Sequence, residues 1–297
     1  MQSLSCPLCR SKEISVAFTT SDRMVTNQPF DICSCHRCGV FFTHPIPDEK
    51  QIWTYYDHEG YISHTDTSRG QLATIYRFVR RFTMGWKRRM VEKKTGLDKG
   101  SILDFGCGTG TFLSEMRQAD WHTVGIEPNE NARTFAVEQR GLDVFDQDRF
   151  DRFADRSFDA VTLWHVLEHV HRFDRVMKNI RRVVKPGGKI FFAVPNPESC
   201  DAQFYKKDWA ALDVPRHLYH FTTASMEYHL GVKKMKIVEK QRMPLDPFYI
   251  SLLSEKRIEN GGSQIRGIWI GVFSTVKSLF DLQQSSSIIY VAEPVES

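Results

Sequence analysis

The sequence predicts an α/β protein: a mostly parallel, Rossmann-like sheet with a small cysteine-bound ribbon at its N-terminal end. Three observations carry this. Residues 101–116 read as strand, glycine-rich turn and helix. Glu127 follows Asp104, the acid near the end of that strand, by 23 positions. Two Cys-x-x-Cys pairs stand among the first 40 residues.

At 297 residues there is room for one large domain and a satellite. The boundaries read as a ribbon over 1–45, a helical linker or lid over 46–97, and a main domain over 98–297. A 41% hydrophobic and 26% charged composition is that of a globular chain with a packed core. Residues 1–10 carry no apolar targeting run, and no stretch has the roughly 18 uncharged apolar residues of a bilayer span, so a cytoplasmic location is expected. The formal charge of +4 is too mild to name a nucleic-acid partner.

Cys6-Pro7-Leu8-Cys9 and Cys35-His36-Arg37-Cys38 are separated by 25 residues, the spacing of two knuckles that close one tetrahedral site. Each knuckle turns two thiolates to one side, and Gly39 after the second can take a positive φ. Ile14–Phe18 and Phe30–Ile32 read as the ribbon's strands. Cys6, Cys9, Cys35 and Cys38 are the expected ligands of a structural zinc, with Cys33 or His36 as possible replacements for one of them. A closed four-sulfur site has no open position for substrate, so no chemistry is assigned to it.

In the main domain Ser101–Phe105 is an apolar strand containing Asp104, Gly106-Cys107-Gly108-Thr109-Gly110 is the turn, and Phe112, Leu113 and Met116 share one helix face. Such a turn lets a nucleotide approach the backbone at a helix N-terminus. Glu127-Pro128 closes the next strand, Thr123–Ile126, where a nucleotide fold keeps its ribose-binding carboxylate. The spacing is G-x-G-x-G rather than the G-x-G-x-x-G of dinucleotide folds, and Asp104 beside it favours a cationic ligand over a pyrophosphate.

Taken together, LDFGCGTG, GIEP, SFDAVTLWHVLEHV and VVKPGGKIFFAVPN resemble successive motifs of the class I S-adenosylmethionine-dependent methyltransferases over residues 101–197. The resemblance implies that Asp104, Gly106, Cys107 and Gly108 line the methionine end of the cofactor and that Glu127, with Pro128, binds its ribose. It implies Asp146 or Gln147 at the adenine, and Trp164 and His165 over the bound cofactor. It also implies that the last strand, Ile288–Ala292, runs antiparallel. Glu168 and His169 fit better as braces of the following helix than as catalytic groups.

Ligands of open α/β sheets sit at the carboxyl ends of the strands, which draws attention to the loop over 196–223. It resembles the W-x-x-L-D-x-P-R-H-L-x-H-F stretch of zinc-ribbon methyltransferases of polysaccharide and lipid-tail pathways. Methyl transfer needs a base where a hydroxyl, amine or carbon acid must lose a proton, and His217 and His220 are the candidates. Tyr205, Trp209, Asp213 and Arg216 are the candidate acceptor contacts, Arg216 for an acidic group and Asp213 to orient an imidazole. A competing reading has both histidines satisfy buried carbonyls in a rigid lid.

Leu72, Ile75, Tyr76, Val79, Phe82, Trp86 and Met90 form one helical stripe, with the bases Arg77, Arg80, Arg81, Lys87, Arg88, Arg89, Lys93 and Lys94 on a solvated face. Tyr55, Tyr56 and residues 61–64 could fold over the cofactor. Within an insertion over 244–285, Ile265, Ile268, Trp269, Val272, Phe273, Val276 and Phe280 predict core packing or a homodimer contact rather than a membrane anchor, because Arg266 and Lys277 interrupt them. That stripe could also receive a lipid-linked acceptor. The expected activity is methyl transfer to a small-molecule or carrier-linked glycan or lipid precursor. The alternatives are an RNA methyltransferase using its ribbon and a non-catalytic cofactor-binding module, and the ribbon lacks the aromatic-basic interleaving of RNA platforms.

Overall fold

A computed structural model describes residues 4–56, 71–258 and 261–295, with side chains of the first long helix from Phe82 onward. The proposed lid residues 61–64 fall outside these, as do the side chains of the stripe residues Leu72, Ile75, Tyr76 and Val79.

The main sheet has seven strands. In chain order they are β4 (Ser101–Phe105), β5 (His122–Ile126), β6 (Asp143–Phe145), β7 (Phe158–Trp164), β8 (Val184–Pro195), β10 (Met235–Arg242) and β11 (Ser287–Pro294). Their spatial order is β6-β5-β4-β7-β8-β11-β10. The first five run parallel, and β11 is antiparallel to both of its neighbours, as the resemblance implied. The chain order reverses between β4 and β7, which opens a crevice at their carboxyl ends.

Alternation along buried strands divides the core into two layers. On β11, Ile288, Tyr290 and Ala292 face one cluster, while Ile289 and Val291 face the other. The second layer is covered by α1 (Gln71–Thr95), α2 (Thr111–Gln118) and α3 (Glu130–Glu138), through Met90, Val91, Phe112, Leu113, Met116 and Ala136. The first is covered by α4 (Phe173–Val183) and α6 (Thr223–Val232), and its cluster continues into the ribbon through Val40 and Phe42. Between them in sequence lies the short α5 (Cys200–Tyr205).

The ribbon strands β1 (Ile14–Ser21), β2 (Pro29–Cys35) and β3 (Phe41–His44) are joined by β9 (Tyr219–His220), a strand from the loop over 196–223. Phe41 pairs with His220 and Phe42 with Tyr219. The ribbon is therefore completed by the main domain. A two-residue strand leaves no period-2 pattern for a sequence reading to find.

Two helices fill the insertion, α7 (Asp246–Arg257) and α8 (Gln264–Phe280). The apolar stripe of α8 is not core. Ile265, Trp269, Phe273 and Phe280 are exposed, while Gly267, Gly271, Ser274 and Ser278 face inward. In α1 the stripe is rotated from the expected one: Phe82 is exposed, and Lys87, Met90 and Val91 are buried.

Candidate functional site

The turn after β4 is built from backbone constraint. Gly106 has φ +77°, and a Cβ there would come within 2.5 Å of the Val166 side chain. Gly108 has φ +55° and nothing within 4 Å of where its Cβ would lie, so this face of the turn is open. Such a bare backbone suits the close approach of a nucleoside ligand.

Two buried acids flank that opening. Asp104 accepts a 2.7 Å hydrogen bond from the Thr162 hydroxyl on β7. Burial pushes its carboxyl up to about 7, against the pull of Thr162 and of Lys87. Glu127 accepts from the backbone N–H of Gly108 at 2.8 Å and of Asn129 at 2.9 Å. It spans the two turns, and burial raises its pKa in spite of those donors. Cys107 is buried beside them and its thiol is pushed up by desolvation. Pro128 is exposed, and Asp146 at the end of β6 accepts from the N–H groups of Asp148 and Arg149, leaving Gln147 half-buried.

Lys87 belongs to this site, not to a solvated face. It is 6% exposed, and its ammonium lies 4.3 Å from the centre of the Trp164 ring. Burial lowers its pKa to about 8, and the charges of Asp246 and Asp104 oppose the shift. Lys87 shares a helix face with Met90 and Val91, three and four residues on, and only packing shows that this face is the buried one. Trp164 packs edge-on against Phe112, and its indole N–H has no partner among the described residues.

His165 is held with φ +56° at the end of β7. Its Nε2 lies 3.2 Å from the Asp246 carboxylate of α7 and 3.2 Å from the Met243 sulfur. Burial disfavours its charge, but Asp246 and Glu168 outweigh burial and hold its pKa up at about 9. Asp246 and Met243 lie some eighty residues downstream and carry no local motif.

Beyond His165 lies a buried polar cluster. Glu168 is 1% exposed, and neither of its carboxylate oxygens has a hydrogen-bond partner among the described residues. Its nearest approach to His165 is 3.6 Å. Burial raises its pKa, yet His165, His217 and His169 together bring it below the ordinary value. His169 and His217 stack edge to face with centroids 4.6 Å apart. Nδ1 of His169 lies 2.9 Å from the Arg216 carbonyl and 3.0 Å from the Tyr56 hydroxyl. Nδ1 of His217 lies 2.8 Å from the Ala211 carbonyl. A carbonyl only accepts, so each Nδ1 carries the hydrogen and each Nε2 keeps its lone pair in the neutral ring. One ligand atom from each of Glu168, His169 and His217 lies within 4.8 Å of the others, a set that could hold a metal ion. Burial and His169 lower the pKa of His217 to about 4.

The other expected acceptor residues are placed differently. Arg216 is 1% exposed and donates to Asp22, Asp213 and the Tyr55 carbonyl. Asp213 also receives Arg257, and its carboxyl is held far below the usual range by the two guanidinium groups. Tyr205 donates to Glu255 and Trp209 to Asp201, both inside a buried cluster. His220 sits on β9 with Nε2 3.4 Å from the Thr43 hydroxyl, its pKa lowered to about 3 by burial and by His217. The side chains of Tyr205, Trp209, Asp213 and Arg216, expected at the acceptor, are thus engaged by other parts of the chain. A buried charge needs a partner, and here the partners come from the ribbon and α7, which a local reading cannot see.

In the ribbon the Sγ atoms of Cys6 and Cys38 are 3.7 Å apart, and those of Cys9 and Cys35 are 3.5 Å apart. A tetrahedron with Zn–S bonds of about 2.3 Å has S···S edges of about 3.8 Å. All four cysteines together form a set that could hold a metal ion, with Gly39 at φ +72°. Cys33 lies outside that set, and His36 bonds Ser15.

A family model described as "Methyltransferase domain" matches residues 76–229, more than half of the chain. Among curated relatives, the ubiquinone biosynthesis O-methyltransferase of Sodalis glossinidius is 28% identical over 142 residues, 45% of this chain and 57% of that protein. The enzyme of the same name from Klebsiella pneumoniae is 35% identical over 116 residues, 36% of this chain and 47% of its own. The chain thus spans about half the length of the curated relatives it matches. Among solved structures, a Galdieria sulphuraria protein named for sarcosine dimethylglycine methyl transfer superposes with a TM-score of 0.53. It is 14% identical, covering 74% of this chain and 88% of that one.

Proposed function

Because the chain belongs to the class I S-adenosylmethionine-dependent methyltransferases, we propose that it methylates a small-molecule or carrier-linked glycan or lipid precursor in the cytoplasm, with His217 taking the acceptor's proton. The cofactor supplies an activated methyl group on a sulfonium. Asp104 and Glu127 would hold its ammonium and ribose hydroxyls, Asp146 or Gln147 its adenine, and Lys87, Trp164 and His165 would border the methionine end.

The observation that carries the acceptor reading is Glu168, a buried carboxylate without a hydrogen bond, set against two imidazoles and next to the cofactor-side His165. Buried polar groups are almost always partnered, so one left open among proton-carrying groups points to a ligand or a transferred proton. His217 is oriented by its bond to Ala211 and stays neutral down to about pH 4, as a base must. Once it has taken a proton, Glu168 stabilises the imidazolium. The names of the relatives support an oxygen as the methylated atom. Zinc in the four-cysteine ribbon would have a structural role, fixing β2 and β3, onto which β9 of the acceptor loop adds.

The test is transfer of labelled methyl groups to pools of hydroxylated small molecules, nucleotide sugars and RNA. His217→Ala should lose roughly a hundredfold to ten-thousandfold in turnover with unchanged cofactor affinity by calorimetry. Wild-type turnover in that variant removes the base assignment. Labelling of RNA alone replaces the acceptor class, and cofactor binding without any product makes the chain a binding module.

A further inference from the structure

Helix α8 is built inside out. A surface helix ordinarily buries its apolar stripe and turns polar residues to water. Here the buried positions are Gly267, Gly271, Ser274 and Ser278, and the large side chains point away from the protein, with Trp269 at 68% and Phe280 at 87% exposure. The inward face packs backbone against backbone: a Cβ at Gly271 would come within 2.9 Å of the Phe248 Cα on α7. Contact through small residues four apart is how helices associate where the surroundings are hydrocarbon. Over 17 residues, about 25 Å of helix, the outward face carries Ile265, Ile268, Trp269, Phe273, Leu279 and Phe280. A continuous exposed apolar face of that length marks a contact.

Charge selects the partner. None of the 17 residues of α8 is acidic. Arg266 is bound by Glu255 on α7 at 2.7 Å, and Lys277 stands 5.5 Å over the Phe273 ring. Neither base therefore breaks the stripe. Lys206 and Lys207, on the segment packed against α7, and Lys256 on α7 itself are exposed, against one exposed acid, Asp281, just past the end of α8. If two copies met through antiparallel α8 helices, Lys277 of each would find no acid on the facing helix, and Glu255 beside it is already engaged by Arg266. A bilayer surface with anionic headgroups supplies both the apolar layer and the missing negative charge.

We propose that the α7–α8 hairpin docks this protein on an anionic lipid bilayer, with α8 lying in the interface and its aromatic and aliphatic face among the acyl chains. No helix among the described residues is long and apolar enough to cross a membrane, so α8 lies on the surface and does not span it. The other end of the hairpin reaches the methyl-transfer site through Asp246 and His165. Docking stands independently of the acceptor assignment, because it can be read without turnover.

The experiment is flotation of the full chain in a density gradient. It uses vesicles of phosphatidylcholine and phosphatidylglycerol in equal parts, and vesicles of phosphatidylcholine alone. The wild type should float with the mixed vesicles and much less with the neutral ones. Trp269→Asp with Phe273→Asp should lower the floated fraction roughly tenfold or more, while calorimetry shows unchanged cofactor affinity. Lys277→Glu, which leaves the apolar face intact, should lower it about fivefold. Wild-type chain left at the bottom of the gradient overturns the proposal, as does a double variant that floats like wild type. A two-chain particle by light scattering that the double variant converts to single chains, without flotation of either, assigns the face to a second copy instead.

Discussion

The glycine turn after β4 and the loop over 196–223 are both crowded with buried charge, and they treat it in opposite ways. In the loop the buried charges are matched: Arg216 meets Asp22, Asp213 and a carbonyl, and Asp213 meets a second arginine. At the turn the matching is partial. Among the described residues Asp104 has one hydroxyl donor, Lys87 touches no carboxylate at ion-pair distance, and Glu168 behind them has no hydrogen bond. Saturated charges hold parts of the chain together, and unsaturated ones are left for a ligand. The loop resembled a binding segment because it has the composition of one, yet Arg216 donates to Asp22 of the ribbon, to the Tyr55 carbonyl of the linker and to Asp213 of its own turn.

Removing one member from each region should separate these roles. The largest effect is expected at the saturated network. Arg216→Ala takes the guanidinium from Asp22, which keeps only the N–H and hydroxyl donors of its own turn, and from Asp213, which keeps Arg257; it should cost about 3–5 kcal/mol of stability by chemical denaturation, with loss of the ribbon's packing. A loss below about 1 kcal/mol would mean that water reaches the network and the contrast fails.

Asp104→Asn should act on binding instead. Cofactor affinity should fall roughly tenfold to a hundredfold, while stability at neutral pH holds or rises because a desolvated acid is gone. Unchanged affinity by calorimetry would remove Asp104 from the cofactor site.

The smallest effect distinguishes the two regions by the sign of their pH dependence. The folded-state pKa of Asp104 is raised to about 7, so its stabilising contribution is present at low pH and lost as pH rises through about 7. His217 and His220 are lowered to about 4 and about 3, so theirs is present above about 6.5 and lost as pH falls toward those values. Each group adds a slope of at most about 1.4 kcal/mol per pH unit inside its window. Melting temperatures of the wild type should decline below pH 6.5, and His220→Gln should flatten that decline. An acid limb unaltered by the substitution would place the titrating groups elsewhere.

The two apolar helices repeat the lesson in packing. In α1 a lysine lies on the buried face, and in α8 glycine and serine do, with tryptophan outside. Periodicity finds a stripe but cannot say which side of the helix meets the protein.

What the sequence determined by itself was local. The strand-turn-helix at 101–116, the register of Glu127 and the two cysteine knuckles each depend on residues within a few turns of one another. The glycines, acids and thiols there are required by backbone geometry and ligand chemistry, whatever lies around them. Tertiary structure alone decided the rest. Lys87 and Asp246 enter the site from helices outside the motifs, β9 joins the loop to the ribbon, and Arg216 finds Asp22 across 194 positions of chain. Burial and charge pairing are properties of what surrounds a side chain, and for these residues the surroundings come from distant parts of the sequence.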